Sequence, residues 1–421
     1  MNGLQFIWEG FRIAINAIGA NRMRSFLTML GVATGIFVIT SILTMVNTLQ
    51  ETTTKSIAEL GNTTMFVHHF PWDEEGEDWK KFFNRPKVSY RDYQFLQKSL
   101  RGVDAIAYQI TAAGQTIKQK GQSASGVEVV GVTEEAAKIG KLELEDGRYF
   151  SGVEFFSGAP VCVIGYSIAE NLFPDTNPLG NYVQVKSKRL KVIGILAKKG
   201  KSIIPGMASD DERVLVPWRV MPSIFNLNSR RIDKTIIIQA TDYENLGVVE
   251  SDAIGILRAS RGLSPKIENN FAINKQEMLM NRFDSAFGYL ETGGWVISAF
   301  SILIGVFSIG MIMYISVRER TNEIGVQKAL GSTKSFILYQ FVMEAILICL
   351  IGGMIGLMIV FGLGALVEVG LKALELDIEV ITAQSTIMIA IFLSAGIGLL
   401  AGFIPALIAA LMDPVEAIRF N

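Results

Sequence analysis

Hydrophobic and polar positions divide the chain into four long apolar stretches and one long polar segment. No charged residue occurs from Ser25 to Gln50, from Thr292 to Val317 or from Val380 to Met412, and the stretch from Ser335 to Val367 contains only Glu344. A helix needs about 20 residues to cross ~30 Å of hydrocarbon, and each stretch is longer than that. The pattern therefore predicts four transmembrane helices, at residues 25–50, 292–317, 335–366 and 384–411.

Charged residues are concentrated between the first two apolar stretches. The segment between Gln50 and Leu290 holds 30 of the 39 Lys and Arg residues and 29 of the 40 Asp and Glu residues, a density typical of a water-soluble domain. Half of all residues are apolar and the mean hydropathy is +0.35, as expected if the rest of the chain is in lipid. The net charge of −1 gives no reason to expect a nucleic-acid partner.

Lys and Arg in the short segments predict the orientation. The N-terminal segment carries three, residues 318–334 carry four, and residues 367–383 carry Lys372 alone. By the positive-inside rule the first two segments are cytoplasmic and the third is outside. Both termini, including residues 412–421, are then cytoplasmic, and residues 51–291 form an extracytoplasmic domain.

The polar segment shows mixed helix and strand patterns. Runs rich in β-branched residues, bordered by Gly, Pro or Asn, predict strands at residues 127–133, 159–165, 182–196, 213–218 and 234–240. Helical spacing appears at residues 89–100, behind a Ser cap, and at residues 243–260. The predicted fold is an α-helical membrane protein with four transmembrane helices and a large α+β extracytoplasmic domain, in two subdomains, inserted between helices 1 and 2.

Residues 1–24 have an amphipathic pattern of their own. Apolar residues recur at helical spacing, at Leu4, Ile7, Trp8, Phe11, Ile15 and Ile18. This predicts a helix lying on the cytoplasmic membrane surface. A helix packed on protein fits the pattern equally well, and the Trp and the following Asn-Arg-Met-Arg favour the membrane surface.

Small residues and one carboxyl group stand out within the spans. Glycines recur four apart at Gly31 and Gly35, Gly352 and Gly356, and Gly398 and Gly402. Such pairs allow helices to approach closely, either within the chain or across a dimer. Glu344 lies near the cytoplasmic end of its span, which favours anchoring or bonding between helices over proton transport.

Catalytic and metal-binding patterns are absent from the sequence. The two histidines, His68 and His69, are adjacent, and on extended backbone their side chains would point apart, so no metal site is predicted. Gly200-Lys201-Ser202 resembles the end of a phosphate-binding loop, but five residues separate it from Gly194 where the motif requires four. We therefore expect that this chain binds no nucleotide or other cofactor and is not itself an enzyme. Its two cysteines are expected to remain unpaired.

Six segments together resemble the MacB/FtsX-type permeases of ABC transporters. In chain order they are NRMRSFLTMLGVATGI (21–36), ELGNTTMFV (59–67), GVTEEA (131–136), LEDGRYFS (144–151), RERTNEIGVQKALGSTKSFILYQFVMEA (318–345) and GFIPALIAALMDPVEAIRF (402–420). The resemblance covers nearly the whole chain. It implies a location in the bacterial cytoplasmic (inner) membrane and a MacB-like domain outside.

The resemblance also implies a mechanism. In this family a dimeric permease, homodimeric or heterodimeric, receives work from a cytoplasmic ATPase that uses ATP and Mg²⁺. The contact is a short coupling helix between spans 2 and 3, here within residues 318–334. The expected docking face there has charged residues at Arg318, Glu319, Arg320, Glu323 and Lys328 and apolar residues at Ile324, Val326 and Leu330. Gly325 is a further expected coupling residue, and Gly331 is expected to break the helix before the third span. MacB carries its ATPase on the same chain, whereas this sequence begins at the amphipathic helix, so a separate ATPase chain is expected.

Three functions remain open from the resemblance. The first is efflux of a drug, peptide or lipid-like compound, with a periplasmic adaptor and an outer-membrane channel. The second is lipoprotein release of the LolC/LolE kind. The third is regulation of cell-wall hydrolases, as by FtsX. An aromatic and acidic loop at residues 68–86 departs from the family pattern, and its role is open.

Overall fold

The computed structural model describes residues 22–58, 61–73, 81–82, 84–140, 142–200, 209–374, 376 and 378–419. The chain forms two compact units. The helical unit comprises Met1–Glu51, Ser285–Leu374 and Ile378–Asn421, and the sheet unit comprises Thr52–Asp284 with Glu375–Asp377. Nearly all of the helix predicted for residues 1–24 lies outside the described residues, as do Lys201, Ser202 and much of the loop at residues 68–86.

Twelve helices and ten strands are found within the described residues. In chain order the helices are α1 (Arg22–Ala58), α2 (Tyr90–Ser99), α3 (Ala136–Ile139), α4 (Gly152–Ser157), α5 (Tyr166–Leu172), α6 (Met221–Ile224), α7 (Leu246–Ser260), α8 (Gln276–Glu319), α9 (Thr321–Ala329), α10 (Lys334–Ala373), α11 (Gln384–Leu411) and α12 (Pro414–Arg419). The strands are β1 (Thr64–His68), β2 (Val103–Gln119), β3 (Gln122–Val132), β4 (Leu144–Gly147), β5 (Val161–Ile164), β6 (Tyr182–Val185), β7 (Lys188–Leu196), β8 (Arg213–Pro217), β9 (Ile232–Ala240) and β10 (Ala272–Lys275).

Four helices are long and apolar enough to cross a membrane: α1, α8, α10 and α11. This confirms the predicted number of spans. Three of these helices extend beyond the apolar stretches of the sequence, since α1 continues to Ala58, α8 begins at Gln276 and α10 continues to Ala373. Charged residues mark the limit of an apolar stretch, but they do not end a helix.

Glycines bring the helices of the helical unit into backbone contact. A Cβ atom added at Gly352 or Gly356 would lie 2.9 or 2.7 Å from a carbonyl oxygen of α1. At Gly398 it would lie 2.6 Å from a backbone carbon of α10, and at Gly402 it would lie 2.5 Å from a side-chain carbon of α10. The same chain therefore fills the space beside all four glycines.

The remaining glycine pair has looser surroundings. Among the described residues, no atom lies within 4 Å of a Cβ atom added at Gly31, and at Gly35 the nearest atom is the Ser301 carbonyl oxygen, at 3.7 Å. The described part of the chain therefore leaves space beside Gly31.

The sheet unit contains one sheet of ten strands. Its order is β10-β1-β9-β2-β3-β8-β5-β7-β4, and β6 pairs with both β2 and β7. Most neighbours are antiparallel, whereas β3 pairs in parallel with β8, and β5 with β7. The α+β class is confirmed. The two predicted subdomains are joined, because the β3–β8 pair and the contact of β6 with β2 continue the hydrogen bonding across the whole unit.

The predicted strands and helices of the sheet unit are present, although β1, β2, β4 and β10 were not predicted and one predicted strand is two. The single strand predicted at residues 182–196 is the hairpin β6–β7, which turns at Lys186 with a positive φ of 52°. The long strand β2 was not predicted, because its Ala, Gln and Gly residues have low strand propensity. Ser89 caps α2 as predicted, and its hydroxyl accepts a hydrogen bond from the backbone N–H of Asp92. Both cysteines, Cys162 and Cys349, are free and buried.

Candidate coupling helix

Helix α9 is a short helix between two of the long apolar helices. Arg320 separates α8 from α9, with φ −96° and ψ 14°. The other end is closed by Gly331, whose φ of 98° is readily adopted only by glycine. Thr333 then caps α10, because its side chain accepts a hydrogen bond from the Phe336 N–H. The break predicted at Gly331 is therefore present in the structure.

Arg320 connects α9 to α10. Its Nη1 lies 3.3 Å from Oε2 of Glu344, and the two side chains are 21% and 5% exposed. Buried carboxylates in apolar surroundings require such a partner. The contact fits the interpretation of Glu344 as a bonding group between helices, and it turns Arg320 towards the protein interior.

Lys328 connects α9 to the end of α11. Its Nζ donates hydrogen bonds to the carbonyl oxygens of Ala410, at 2.8 Å, and Met412, at 2.5 Å. Cations are favourable at a helix C-terminus, where carbonyl groups lack partners within the helix. Burial and the nearby charge of Lys334 lower the pKa of Lys328, although Asp413 opposes this shift. Sequence analysis placed Lys328 on a docking face, whereas the structure uses it within the chain.

The other side of α9 packs against α12. Ile324 is only 2% exposed. A Cβ atom added at Gly325 would lie 2.9 Å from Cβ of Ala417 and 3.1 Å from the backbone nitrogen of Ile418. Ile324 was predicted on the docking face and Gly325 as a coupling residue. In the structure Ile324 is buried in the apolar core of the helical unit, and Gly325 lies against α12.

The exposed positions of α9 and α12 combine acidic and apolar side chains. On α9 they include Glu323, Val326 (45% exposed) and Leu330 (84%), and on α12 they include Val415 (67%) and Ile418 (46%). We call these five residues the coupling face. Arg318 and Glu319, at the end of α8, are also exposed.

Sequence reasoning missed the contribution of α12. The signal was present in the sequence, because Asp413-Pro414 is a typical helix start. In the structure Oδ1 of Asp413 accepts a hydrogen bond from the Val415 N–H. The packing of α12 on Gly325 could not be deduced from that signal.

One feature of the sheet unit concerns the segment whose sequence resembles the end of a phosphate-binding loop. The backbone N–H groups of Lys199 and Gly200 donate to the carboxylate of Asp211, at 2.9 and 2.8 Å. At the start of the phosphate-loop-like segment these amides therefore bind a carboxylate of the same chain.

The histidine pair requires a correction. The rings of His68 and His69 lie with centroids 4.4 Å apart, and Asp233 joins them to form a group whose ligand atoms all lie within 4.8 Å of one another. The expectation that the side chains point apart is wrong, because the strand ends at His68. There the chain turns, and the Phe70 N–H donates to Nδ1 of His68 at 3.2 Å.

Comparison with known protein families identifies the family of this chain. The sequence profile of the MacB-like periplasmic core domain matches residues 25–255, which is more than half of the chain, and that of the FtsX-like permease C-terminal domain matches residues 295–414. The chain belongs to the MacB/FtsX-type permease family. It is thus a multi-pass membrane protein with an extracytoplasmic domain, of the class that forms the membrane part of ABC transporters.

Individual relatives align with this permease over most of its length. The macrolide export ATP-binding/permease protein MacB of Neisseria gonorrhoeae is 29% identical over 415 residues, which cover 98% of this chain and 61% of that protein. The uncharacterized ABC transporter permease YknZ of Bacillus subtilis is 28% identical over 421 residues, covering 98% and 99%. The permease therefore spans about three fifths of the length of MacB and nearly all of YknZ.

A solved structure is similar to the extracytoplasmic part. The periplasmic region of MacB from Actinobacillus actinomycetemcomitans aligns with 54% of this chain and 95% of that chain, with 17% sequence identity and a TM-score of 0.43.

Proposed function

We propose that this permease is the membrane subunit of an ABC transporter that works by mechanotransmission. A separate cytoplasmic ATPase uses ATP and Mg²⁺ and moves α9, and the movement reaches the extracytoplasmic domain. The chain itself binds no nucleotide. It acts as a dimer, either of two copies or with a related permease.

The attachment of α9 to two spans carries this proposal. Arg320 pairs with Glu344 on α10, and Lys328 bonds to the last carbonyl groups of α11. A force applied to α9 would therefore act on both helices, because a displacement of α9 alone would leave buried polar groups without partners. The coupling face remains exposed for a partner, with apolar side chains that a groove could bury and Glu323 for a cationic group.

We propose that the work transmitted through α9 drives export. The names of the MacB relatives describe macrolide export, and the match extends over 98% of this chain. The substrate class we propose is a drug, peptide or lipid-like compound, passed to a periplasmic adaptor and an outer-membrane channel.

Photo-crosslinking in native membranes tests the ATPase contact. A photoreactive phenylalanine at Leu330 should capture a chain that mass spectrometry identifies as an ABC ATPase. The matched control is Leu374, which is also exposed (62%) but follows the other end of α10. Capture of the same ATPase from both positions, or from neither, would contradict the assignment.

Substitution on the coupling face tests whether the contact transmits work. With that ATPase co-purified, Leu330→Asp should lower both ATPase stimulation and export by about tenfold, because a desolvated apolar contact contributes about 1.4 kcal/mol or more. Leu374→Asp should retain both activities. Purified alone, the permease should show no ATP hydrolysis above background.

A further inference from the structure

Three side chains of types that can bind metals, those of His68, His69 and Asp233, lie together at one end of the sheet. The coupling mechanism does not involve them. β1 and β9 are antiparallel and pair as far as Val67 with Ile236, which brings the end of β1 beside the start of β9. His68 and His69 lie at the end of β1, and Asp233 lies at the start of β9. The side chains are 13%, 15% and 44% exposed.

The hydrogen bonds assign the protons in this group. An amide N–H can only donate, so Nδ1 of His68, which receives the Phe70 N–H, carries a lone pair. The ring proton is then on Nε2, which donates to Oδ2 of Asp233 at 2.6 Å. This hydrogen bond from His68 holds the carboxylate in place. Oδ1 of Asp233 accepts one hydrogen bond, from the Lys234 N–H at 2.9 Å, and keeps a second lone pair.

Nδ1 of His69 is available as a metal ligand. This nitrogen is buried and has no hydrogen-bond partner within the described residues. It lies 3.8 Å from Oδ1 of Asp233, which is too long for a hydrogen bond. An ion bonded to both atoms at about 2.0–2.2 Å would fit between them, since the two bonds together reach about 4 Å. Burying an unpaired polar atom is costly, and a cation would remove that cost.

The group contains one carboxylate, that of Asp233, which would offset the charge of a bound cation. Lys87 is the opposing charge nearby; its ammonium is held by carbonyl oxygens, including those of Arg230 and Ile232.

We propose that the sheet unit binds one divalent transition-metal ion of the Zn²⁺ type. Nδ1 of His69 and Oδ1 of Asp233 are the protein ligands, and His68 is a positioning residue that orients the carboxylate through its Nε2–H. Water completes the coordination. Imidazole and carboxylate together favour Zn²⁺ and similar ions over Ca²⁺ or Mg²⁺.

Zinc titration of the full-length permease tests this site. The protein is purified in detergent through a tag without histidine, treated with chelator and titrated with Zn²⁺ against a fluorescent zinc chelator. We expect one saturable site per chain. His69→Ala and Asp233→Asn should each weaken Zn²⁺ binding by more than about tenfold, and His68→Ala by about tenfold. Asp175→Asn removes an exposed carboxylate elsewhere in the sheet unit and should leave the affinity unchanged.

A folding control accompanies the titration. Equal reactivity of the buried Cys162 thiol in each variant and in the wild type would show that the sheet unit is folded. Absence of saturable binding, or wild-type affinity in His69→Ala or Asp233→Asn, would overturn the proposal.

Discussion

The helical unit and the sheet unit are packed in different ways. In the helical unit glycines such as Gly356 and Gly398 let one long apolar helix approach another, whereas the close approaches at Gly147 and Gly165 of the sheet unit are to strands and loops. In the sheet unit the core consists of aliphatic side chains such as Leu96, Ile110 and Ile164, all at most 1% exposed. Lipid is as apolar as a protein interior, so close approach has to hold the helices together. In water, removal of apolar surface is the stabilising contribution.

The two units also use buried ion pairs differently. In the sheet unit Asp92 and Arg261 are 6% and 9% exposed, and Asp92 further accepts hydrogen bonds from Ser89 and Ser260. In the helical unit Glu344 pairs with Arg320 at the start of α9. The first pair lies within a network that stabilises the fold, and the second connects two helices. Substitutions should therefore have unequal effects on stability.

The largest expected effect is at Asp92. Asp92→Ala leaves the buried Arg261 without its anion, and we expect the free energy of unfolding of the sheet unit to fall by about 4 kcal/mol. Labelling of the buried thiol of Cys162 in urea reports this unit, and Cys349 reports the helical unit. Asp104→Ala, at an exposed position of β2, is the control and should change little. Equal effects of the two variants would contradict a stabilising role for the pair.

The pair also has a pH signature. Burial alone would raise the pKa of Asp92, but Arg261 and the hydrogen bonds from Ser89 outweigh it and lower the pKa from its ordinary value of 3.8. A carboxyl with a lowered folded-state pKa stabilises the fold above its unfolded pKa. This contribution is lost as the pH falls below 3.8 through the folded-state pKa. Asp92→Ala should lack this part of the acid sensitivity of Cys162 labelling.

A smaller effect is expected from truncating an aliphatic side chain. Ile164→Ala, in the core of the sheet unit, should lower the free energy of unfolding by about 3 kcal/mol. The matched change in the helical unit is Ile404→Ala, at a position that is 67% exposed in the structure and faces lipid if α11 spans the membrane. It should cost less than about 0.5 kcal/mol, because that methyl surface is not removed from apolar surroundings. Comparable losses would contradict the expectation that Ile404 keeps apolar surroundings when its contacts within the chain are lost.

A side chain added at a closely packed glycine is expected to destabilise the helical unit. Gly398→Val adds a side chain whose Cβ atom would lie 2.6 Å from the backbone of α10, and it should destabilise the helical unit by about 2 kcal/mol. Gly396→Val, on the same helix with nothing within 4 Å, controls for helix propensity. Labelling of Cys349 during thermal unfolding in detergent measures both. If Gly396→Val were as destabilising as Gly398→Val, backbone approach would not explain the packing.

Only a small loss of stability is expected at Glu344. Glu344→Gln removes the charge but keeps an acceptor for Arg320, so the helical unit should lose only about 1 kcal/mol. Coupling should suffer more than stability, because α9 is then held less firmly to α10. The measurement is ATPase stimulation beside Cys349 labelling. Loss of both in proportion would indicate a purely structural pair.

Local patterns were enough to predict much of this architecture. The four spans, the Ser89 cap and the break at Gly331 each depend on residues close together in sequence, and each is present in the structure. Strand β2 was missed because its pairing with β9 and β3 outweighs the weak strand propensity of its residues. The ATPase-docking face stays a prediction. The burial of Ile324 and Gly325 could not be foreseen, because charge and hydrophobicity do not show which side of a short helix is covered.

By itself, the sequence determined the spans, the extracytoplasmic α+β domain and the family, because hydrophobic runs and motifs are local properties of the chain. The tertiary structure decided which side chains face inwards. It paired Lys328 with the end of α11, placed α12 on Gly325, and brought Asp233 to His68, which lies 165 positions earlier in the chain. These contacts depend on strand register and helix packing between distant segments, and no local pattern specifies them.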